Sequence, residues 1–505
     1  MSGHIRAPMT EGSAIRKDSR RGKKFWLGLI LLSISTACTP LSSETRYVSK
    51  TGSNTPPYTT PETAAGTIQE AVDAAGYRDV VKVGPGVYVE QVILHDGVVL
   101  WGAVADQTIV KQLEDAPYGD VIAGAADAEI RGIHIVSPEY HEFQFFRGTG
   151  VYLGPWPGQL VSDCTITGPF IYGVECEGLF QGEPSVIRRC TIERAHAGVT
   201  VRGSWVSCIV EDCVMRNNKG FGVSAGYSFG TIAVVRSTIS GSTSGIYMVG
   251  AWDVSVENCT VENSGSHGIL AEDFAVITVW SSVISGTANG TGVLCCDYGT
   301  VEVLNCTVAW DRFGISGGGF GVRVANTIVW GGEDPLRYVG SNVSFSDIEG
   351  GYEGEGNINA DPLFVNPSAG DFRLGPRSPC IDAGTPPGTD PYRPGWCCGV
   401  DRAGRDRKVQ VKAEESRIDM GAYEYYVNDL SAGPDPDETA LTWSSKPNRT
   451  YSIFYTDDLV TWHLADSNVL AADAYHLTSW TDDGTLTEVP PSLAPRRFYR
   501  ILENP

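Results

Sequence analysis

A chain of 505 residues with 60 acidic and 38 basic side chains carries a formal charge of −22. No basic patch offsets that charge, which disfavours a nucleic-acid partner. Fifty-nine glycines and only 19% charged residues suit a turn-rich all-β protein and argue against a helical one.

Residues 1–38 read as a targeting segment: Arg16, Lys17, Arg20, Arg21, Lys23 and Lys24 precede the apolar run Phe25 to Leu32, too short to span a bilayer as a mature helix. Two processing routes stay open. Ser35-Thr36-Ala37 fits ordinary signal-peptide cleavage, whereas Cys38 after a small residue resembles a bacterial lipoprotein box, and a lipid there would be the chain's one contact with a membrane. Both routes predict a secreted or cell-surface protein.

Residues 44–79 read as an N-terminal cap. A strand-turn opening at Arg46 to Ser53 and a Pro/Thr-rich stretch lead into the one helix-like segment, Thr67 to Ala75. A solenoid needs such a cap, because its first rung otherwise exposes an open edge and a bare apolar core.

From 80 to 352 the chain is periodic. One phrase recurs as Asp163-Cys164-Thr165-Ile166, Arg189-Cys190-Thr191-Ile192, Asp212-Cys213-Val214-Met215, Arg236-Ser237-Thr238-Ile239, Asn258-Cys259-Thr260-Val261, Ser281-Ser282-Val283-Ile284, Asn305-Cys306-Thr307-Val308 and Ala325-Asn326-Thr327-Ile328. A second column keeps step with it: Gly150, Gly173, Gly198, Gly222, Gly245, Gly268, Gly292 and Gly314, each followed by Val or Ile. Between the columns lie short, alternating, β-branched runs, which are strand grammar. A unit of two dozen residues cannot bury its own apolar face, so it must stack as one rung of a parallel β-helix of about ten rungs.

This pattern resembles the right-handed parallel β-helix of the pectate-lyase-like superfamily, over roughly residues 80–350. The resemblance implies an all-β solenoid, and it implies no single reaction, since that fold hosts lyases, hydrolases, epimerases and non-enzymes. The acidic cluster and paired arginines of pectate lyases are not visible. Ser266-His267-Gly268 resembles the Gly-His-Gly of polygalacturonases, yet Ser242-Thr243-Ser244 stands in the rung where that family keeps an acidic pair.

The repeat position shared by Cys164, Cys190, Cys213, Cys259 and Cys306 also holds Ser237, Ser282 and Asn326. In related solenoids it carries an inward ladder of Asn. The thiols are therefore expected buried and reduced, with parallel Cβ vectors that make bridging poor. In the rung after Val136 an aromatic excursion, 137–147, is followed by Pro155-Trp156-Pro157; either packs down on its own rung or offers a sugar-stacking platform.

At 353–426 four blocks (Asn359 to Pro367, Gly370 to Leu374, Arg377 to Gly384 and Arg417 to Tyr425) closely resemble the choice-of-anchor Q region of secreted bacterial β-helix proteins. That resemblance implies surface attachment and names no reaction. Asp361, Asp371, Asp382 and Asp419 are candidate calcium ligands or plain turn formers. Cys380 with Cys397 or Cys398 offers the expected disulfide. Residues 428–505, rich in short alternating aromatic runs, read as a small β-sandwich resembling fibronectin-type or accessory modules.

Strand alternation assigns the chemistry. With the residue after each column glycine pointing inward, the outward row is Tyr152, Glu175, Glu177, Thr200, Arg202, Ser224, Tyr247, Leu270, Glu272 and Leu294, with His196, Lys219, His267, Asp273 and Asp297 at strand ends. In the related enzymes this face is the substrate groove. A lyase reading makes Arg202 or Lys219 the base, with His267 as a further catalytic group, while Glu175 and Glu177 hold calcium or orient substrate, and Tyr247, Glu272 and Trp156 bind the rest of a polysaccharide or surface glycan. Two classes stay open: a carbohydrate-active enzyme, lyase-like if catalytic, and a non-catalytic, adhesin-like surface protein. A monomer is expected.

Overall fold

The computed structural model describes residues 43–505 apart from 104–106, 115, 117–118, 138–146, 179–181, 319–320, 376, 387–399, 405–406, 408–416, 426–427, 433–437, 446–448, 472–476, 488, 495 and 505. The aromatic excursion, Cys38, Cys397 and Cys398 thus fall largely or wholly outside the described residues.

The β-branched runs stack as a right-handed parallel solenoid with three faces. Face one has 13 strands, from Thr45–Val48 to Val343–Ser344; face two has 12, from Gly86–Val89 to Asp347–Ile348; face three has 11, from Val92–Ile93 to Asp334–Arg337. The helix Ile68–Asp73 is held at its start by a capping box between Thr67 and Glu70, and it buries Ile68, Ala71 and Val72 against the first rungs. The Glu90 carboxylate accepts from the N–H groups of Ile68 and Gln69 at 3.0 Å, completing the cap.

Each phrase carries the two-residue turn from face one to face two. Its first residue (Asp163, Arg189, Asp212, Arg236, Asn258, Ser281, Asn305, Asn326) is left-handed, with φ between 47° and 54°. Charge offsets that strain: Arg189 grips Asp163 at 2.6 and 2.7 Å, and Arg236 grips Asp212 at 2.7 and 2.8 Å, one rung apart. The left-handed Asn326 corrects the last repeat by one position. Thr307 pairs with Ile328, so Thr327, not Asn326, occupies the inward slot.

That slot is a hydrogen-bonded ladder in which thiol and hydroxyl do the same work. The side chains of Cys190, Cys213, Cys259 and Cys306 donate to the carbonyl two residues back at 3.1 to 3.3 Å, and Ser237, Ser282 and Thr327 do likewise at 2.8 to 2.9 Å. Each in turn accepts from the preceding rung, as Cys213 N–H to Ser237 Oγ at 3.1 Å and Cys259 N–H to Ser282 Oγ at 3.1 Å. All five ladder thiols are buried and free.

The glycine column has a different cause. A Cβ at Gly198 would stand 2.6 Å from the Gly222 carbonyl oxygen, and one at Gly222 2.7 Å from that of Gly245. Face three begins where successive backbones approach too closely for any side chain.

Residues 355–358 still stack on the last rung, and described residues between 364 and 425 lie against face two. Ala422 N–H donates to Thr307 Oγ1 at 3.0 Å, Arg402 Nε to Thr260 Oγ1 at 3.0 Å, and Phe372 and Ala422 bury Val283 and Ala309. Arg407, 1% exposed, ties this layer down through Ser281 Oγ, the Gly421 carbonyl and Glu424 at 2.8 Å. The expected partners of Cys380, Cys397 and Cys398, lie outside the described residues; among the described residues the Cys380 thiol is free and donates to Asp347 Oδ2 at 3.1 Å. Nor do the four aspartates converge as calcium ligands. Asp361 closes a turn on Leu363 N–H, Asp371 holds Arg373, and Asp419 accepts from Asp382 N–H. Residues 428–505 form two three-stranded antiparallel sheets that enclose Leu441, Trp443, Tyr451, Ile453 and Trp480.

Candidate functional site

Face three keeps its outward rows in strict register. Tyr152, Glu175, Thr200, Ser224, Tyr247, Leu270 and Leu294 pair in sequence along one row, and Glu177, Arg202, Gly226, Val249 and Glu272 along the next. Two polar clusters result, separated by a floor of small residues. Thr200 and Ser224 share a hydrogen bond at 3.0 Å, and a Cβ added at Gly226 would meet nothing within 4 Å.

The first cluster joins four rungs. Arg202 Nη2 lies 2.8 Å from Glu175 Oε1, its Nη1 donates to the Tyr172 hydroxyl at 3.2 Å, and its guanidinium lies 5.3 Å from the Tyr172 ring centre. Thr149 donates to the other oxygen of Glu175 at 3.2 Å, and Tyr152 donates to Glu177 Oε2 at 3.1 Å. Asp120, from the rung before, completes the group. Its carboxyl is pushed above the usual range by burial, with Thr149 opposing and Glu177 adding to the rise. Burial also raises Glu175, although Arg202 opposes it. Burial first, then the Glu177 charge, lifts the Tyr152 hydroxyl to about 12, so it stays a donor.

The second cluster lies at Tyr247, Glu272 and Cys296. Tyr247 donates to Glu272 Oε2 at 2.8 Å and stacks on Phe221 at 4.7 Å. Half-buried His267 sits at the start of its strand, its pKa lowered by burial against the opposing pull of Glu272. Among the described residues Glu272, Cys296 and Asp297 come near enough to share an ion. Within that set burial first, then Glu272, pushes the Cys296 thiol up to about 12, and its Sγ donates to Glu272 Oε1 at 3.6 Å. Glu175 and Glu177 are likewise taken up by Arg202, Thr149 and Tyr152 rather than arranged as calcium ligands.

The sequence-predicted residues are therefore divided. Glu175, Glu177 and Arg202 meet, and Tyr247, Glu272 and His267 form a neighbourhood of their own. Trp156, 43% exposed, lines a small cleft with Pro155, Pro157, Glu177 and Val206 beyond the first cluster. Lys219 joins neither Arg202 nor Glu175. It precedes Phe221, which pairs with Ala197, whereas Arg202 pairs with Gly226, so the two cations stand at opposite edges of the face, roughly 20 Å apart along the strand. Among the described residues of face three, Arg202 and Lys219 are thus not gathered at one point. Asp120 was missed because the strand it precedes, Ile122–Ala123, is only two residues long and lacks the repeated phrase.

Residues 177–329 match the family described as right handed beta helix region. No curated protein matches the chain. Among solved structures, pectate lyase Pel9A shares 15% identity over 76% of this chain and 96% of its own, with a TM-score of 0.49. The A-module of the Azotobacter vinelandii mannuronan C-5 epimerase AlgE4 shares 17% over 56% and 94%, at 0.34, and the periplasmic alginate epimerase AlgG 12% over 59% and 69%, at 0.40. These are likenesses of fold.

Proposed function

We propose that the chain binds a polysaccharide lengthwise along face three and cleaves it by acid–base hydrolysis at Asp120 and Glu177. The observation that carries this reading is the gathering of two carboxyls in unlike settings: Asp120, raised by burial and by Glu177, and Glu177, which accepts from Tyr152. Glycoside hydrolysis asks for one carboxyl that keeps its proton to give to the leaving oxygen and one that accepts or attacks. Arg202, fixed by Glu175, supplies donors to a sugar hydroxyl. Tyr247, Glu272 and His267 hold the chain beyond the small-residue floor, and Trp156 stacks against it at the other end.

Elimination is disfavoured by the same geometry. Arg202 is engaged by the Glu175 carboxylate at 2.8 Å, and Lys219 stands at the far edge. Export through residues 1–38 and attachment through the choice-of-anchor Q-like blocks would present the groove outside the cell, with 428–505 as an accessory module.

The test is digestion of neutral and acidic polysaccharides by the chain lacking residues 1–37. New reducing ends without ultraviolet-absorbing unsaturated products, abolished by Asp120→Asn and by Glu177→Gln, is the expected result. Unsaturated products would replace hydrolysis by elimination, and binding without any product would favour the adhesin-like alternative.

A further inference from the structure

The turns from face three to face one carry a feature that the groove chemistry leaves unused. Trp205, Phe229, Trp252, Phe274 and Tyr298 follow one another at one ring per rung, each just ahead of its face-one strand. They are exposed at 42, 42, 56, 58 and 68%. Ring centres are 5.3 Å apart for Trp205 and Phe229, 5.2 Å for Phe229 and Trp252, and 5.3 Å for Phe274 and Tyr298. Beneath them the turn residues that face the core, Ser228, Ala251 and Ala275, are small and fully buried, so the rings are not needed to fill the interior. Large rings kept in water rung after rung, in contact as Trp205–Phe229–Trp252 and as Phe274–Tyr298, form an apolar stripe, the kind of surface that marks a binding site.

We infer that this stripe is a track for an uncharged glycan chain, running beside the groove. Shape excludes a broad partner: four rung steps of about 4.8 Å give a strip roughly 19 Å long and one side chain wide, whereas a stable protein interface needs about 800 Å² on each side. Charge excludes a polyuronate. The carboxylates Asp253, Asp273 and Asp297 flank the rings, Asp273 held by the Tyr227 hydroxyl at 2.8 Å, and they would repel an acidic sugar. An uncharged sugar suits both features, with its C–H faces on the electron-rich rings and its hydroxyls donating to the flanking carboxylates. The stripe borders the strand ends that carry Glu177, Arg202 and Glu272, so a chain held there passes alongside the acid–base cluster. The inference rests on the proposed function only for where cleavage falls; binding on the stripe stands without it.

Affinity gel electrophoresis of the chain lacking residues 1–37 tests this, with hydroxyethylcellulose, mixed-linkage β-glucan and arabinoxylan as neutral probes and polygalacturonate and alginate as acidic ones. Retardation by at least one neutral polymer and by neither acidic one is expected. Trp205→Ala with Trp252→Ala removes two stacking rings and should weaken it roughly thirtyfold, while Val87→Ser, at an exposed residue of face two, leaves it intact. Thermal melting checks that the double variant is folded; if it is not, Tyr298→Ser, at the most exposed ring, takes its place. No retardation by any neutral polymer, retardation by polyuronates alone, or unchanged retardation in the folded ring variants overturns the inference. So does light scattering that shows the rings joining two copies of the chain, disrupted by the same substitutions.

Discussion

Arg202 reaches across one rung to Glu175, Nη2 to Oε1 at 2.8 Å, from a side chain half in water to one 7% exposed. The pairing makes Arg202 structural as well as functional. Removing it strands a buried carboxylate whose pKa burial already raises. Arg202→Ala should therefore cost about 1–2 kcal/mol at pH 8, allowing for screening at the exposed end. The cost should shrink toward pH 4, where Glu175 takes up a proton and no longer needs a counter-charge. Urea midpoints at the two pH values check this. Equal midpoints for variant and parent would return Arg202 to the plain exposed residue that sequence alternation suggests.

The ladder predicts how thiols behave. Cys190 N–H donates to Cys213 Sγ at 3.4 Å, and Cys213 Sγ donates to the Glu211 carbonyl at 3.2 Å. Cys213→Ser keeps both bonds and should change stability by less than about 1 kcal/mol, whereas Cys213→Val leaves a buried N–H unmet and should cost about 1–3 kcal/mol. Burial lifts the Cys259 and Cys306 thiols to about 12, so the native chain should not react with Ellman's reagent at these positions at pH 8. Unfolded without reductant, it should yield at least the five ladder thiols.

A second buried acid sets a pH dependence. Asp311 is raised to about 7, chiefly by burial, while its Oδ1 accepts from Thr287 N–H at 2.7 Å. Its folded pKa lies above the unfolded value of about 4, so the folded state binds the extra proton between these limits. The stabilisation is full below about pH 4 and is lost as pH rises through about 7. Asp311→Asn keeps the accepting oxygen without the charge. It should raise the melting temperature at pH 8, by roughly 2 kcal/mol in stability, and leave it nearly unchanged at pH 4. A variant less stable than the parent at pH 8 would contradict this.

How much of this was readable in the sequence depends on periodicity. The solenoid, its outward row and the thiol ladder follow from two columns in step, because stacking forces equivalent positions into equivalent places. The slip at Asn326 arose where the repeat shortens, and only the left-handed φ at Asn326 and the pairing of Thr307 with Ile328 fix it. Layering of described residues between 364 and 425 on face two had a visible trace: the outward residues Glu193, Arg216 and Glu262 give way to Ser285, Ala309 and Trp330. Partnership is harder to read, since a row says which residues share a face but not that Arg202 bends to Glu175 while Lys219 sits at the other edge. Asp120 carried no repeat signal at all.

Two glycines one rung apart separate architecture from groove. At Gly198 an added methyl would meet the Gly222 carbonyl oxygen at 2.6 Å and Met215 Cγ at 3.2 Å, and backbone cannot yield without prising rungs apart. Gly198→Ala should destabilise the fold by about 1–3 kcal/mol. At Gly226, by contrast, nothing lies within 4 Å, and its φ is not in the left-handed range, so Gly226→Ala should leave the melting temperature unchanged. Yet Gly226 lies in the outward row between Arg202 and Val249, on the floor where the proposed glycan would pass. A larger residue there, Gly226→Tyr, should keep the fold and obstruct the groove, raising KM for a long polysaccharide at least tenfold while short substrates that occupy only the first cluster are cleaved as before. If Gly226→Tyr folds and turns over long and short substrates alike, the polysaccharide does not run along face three.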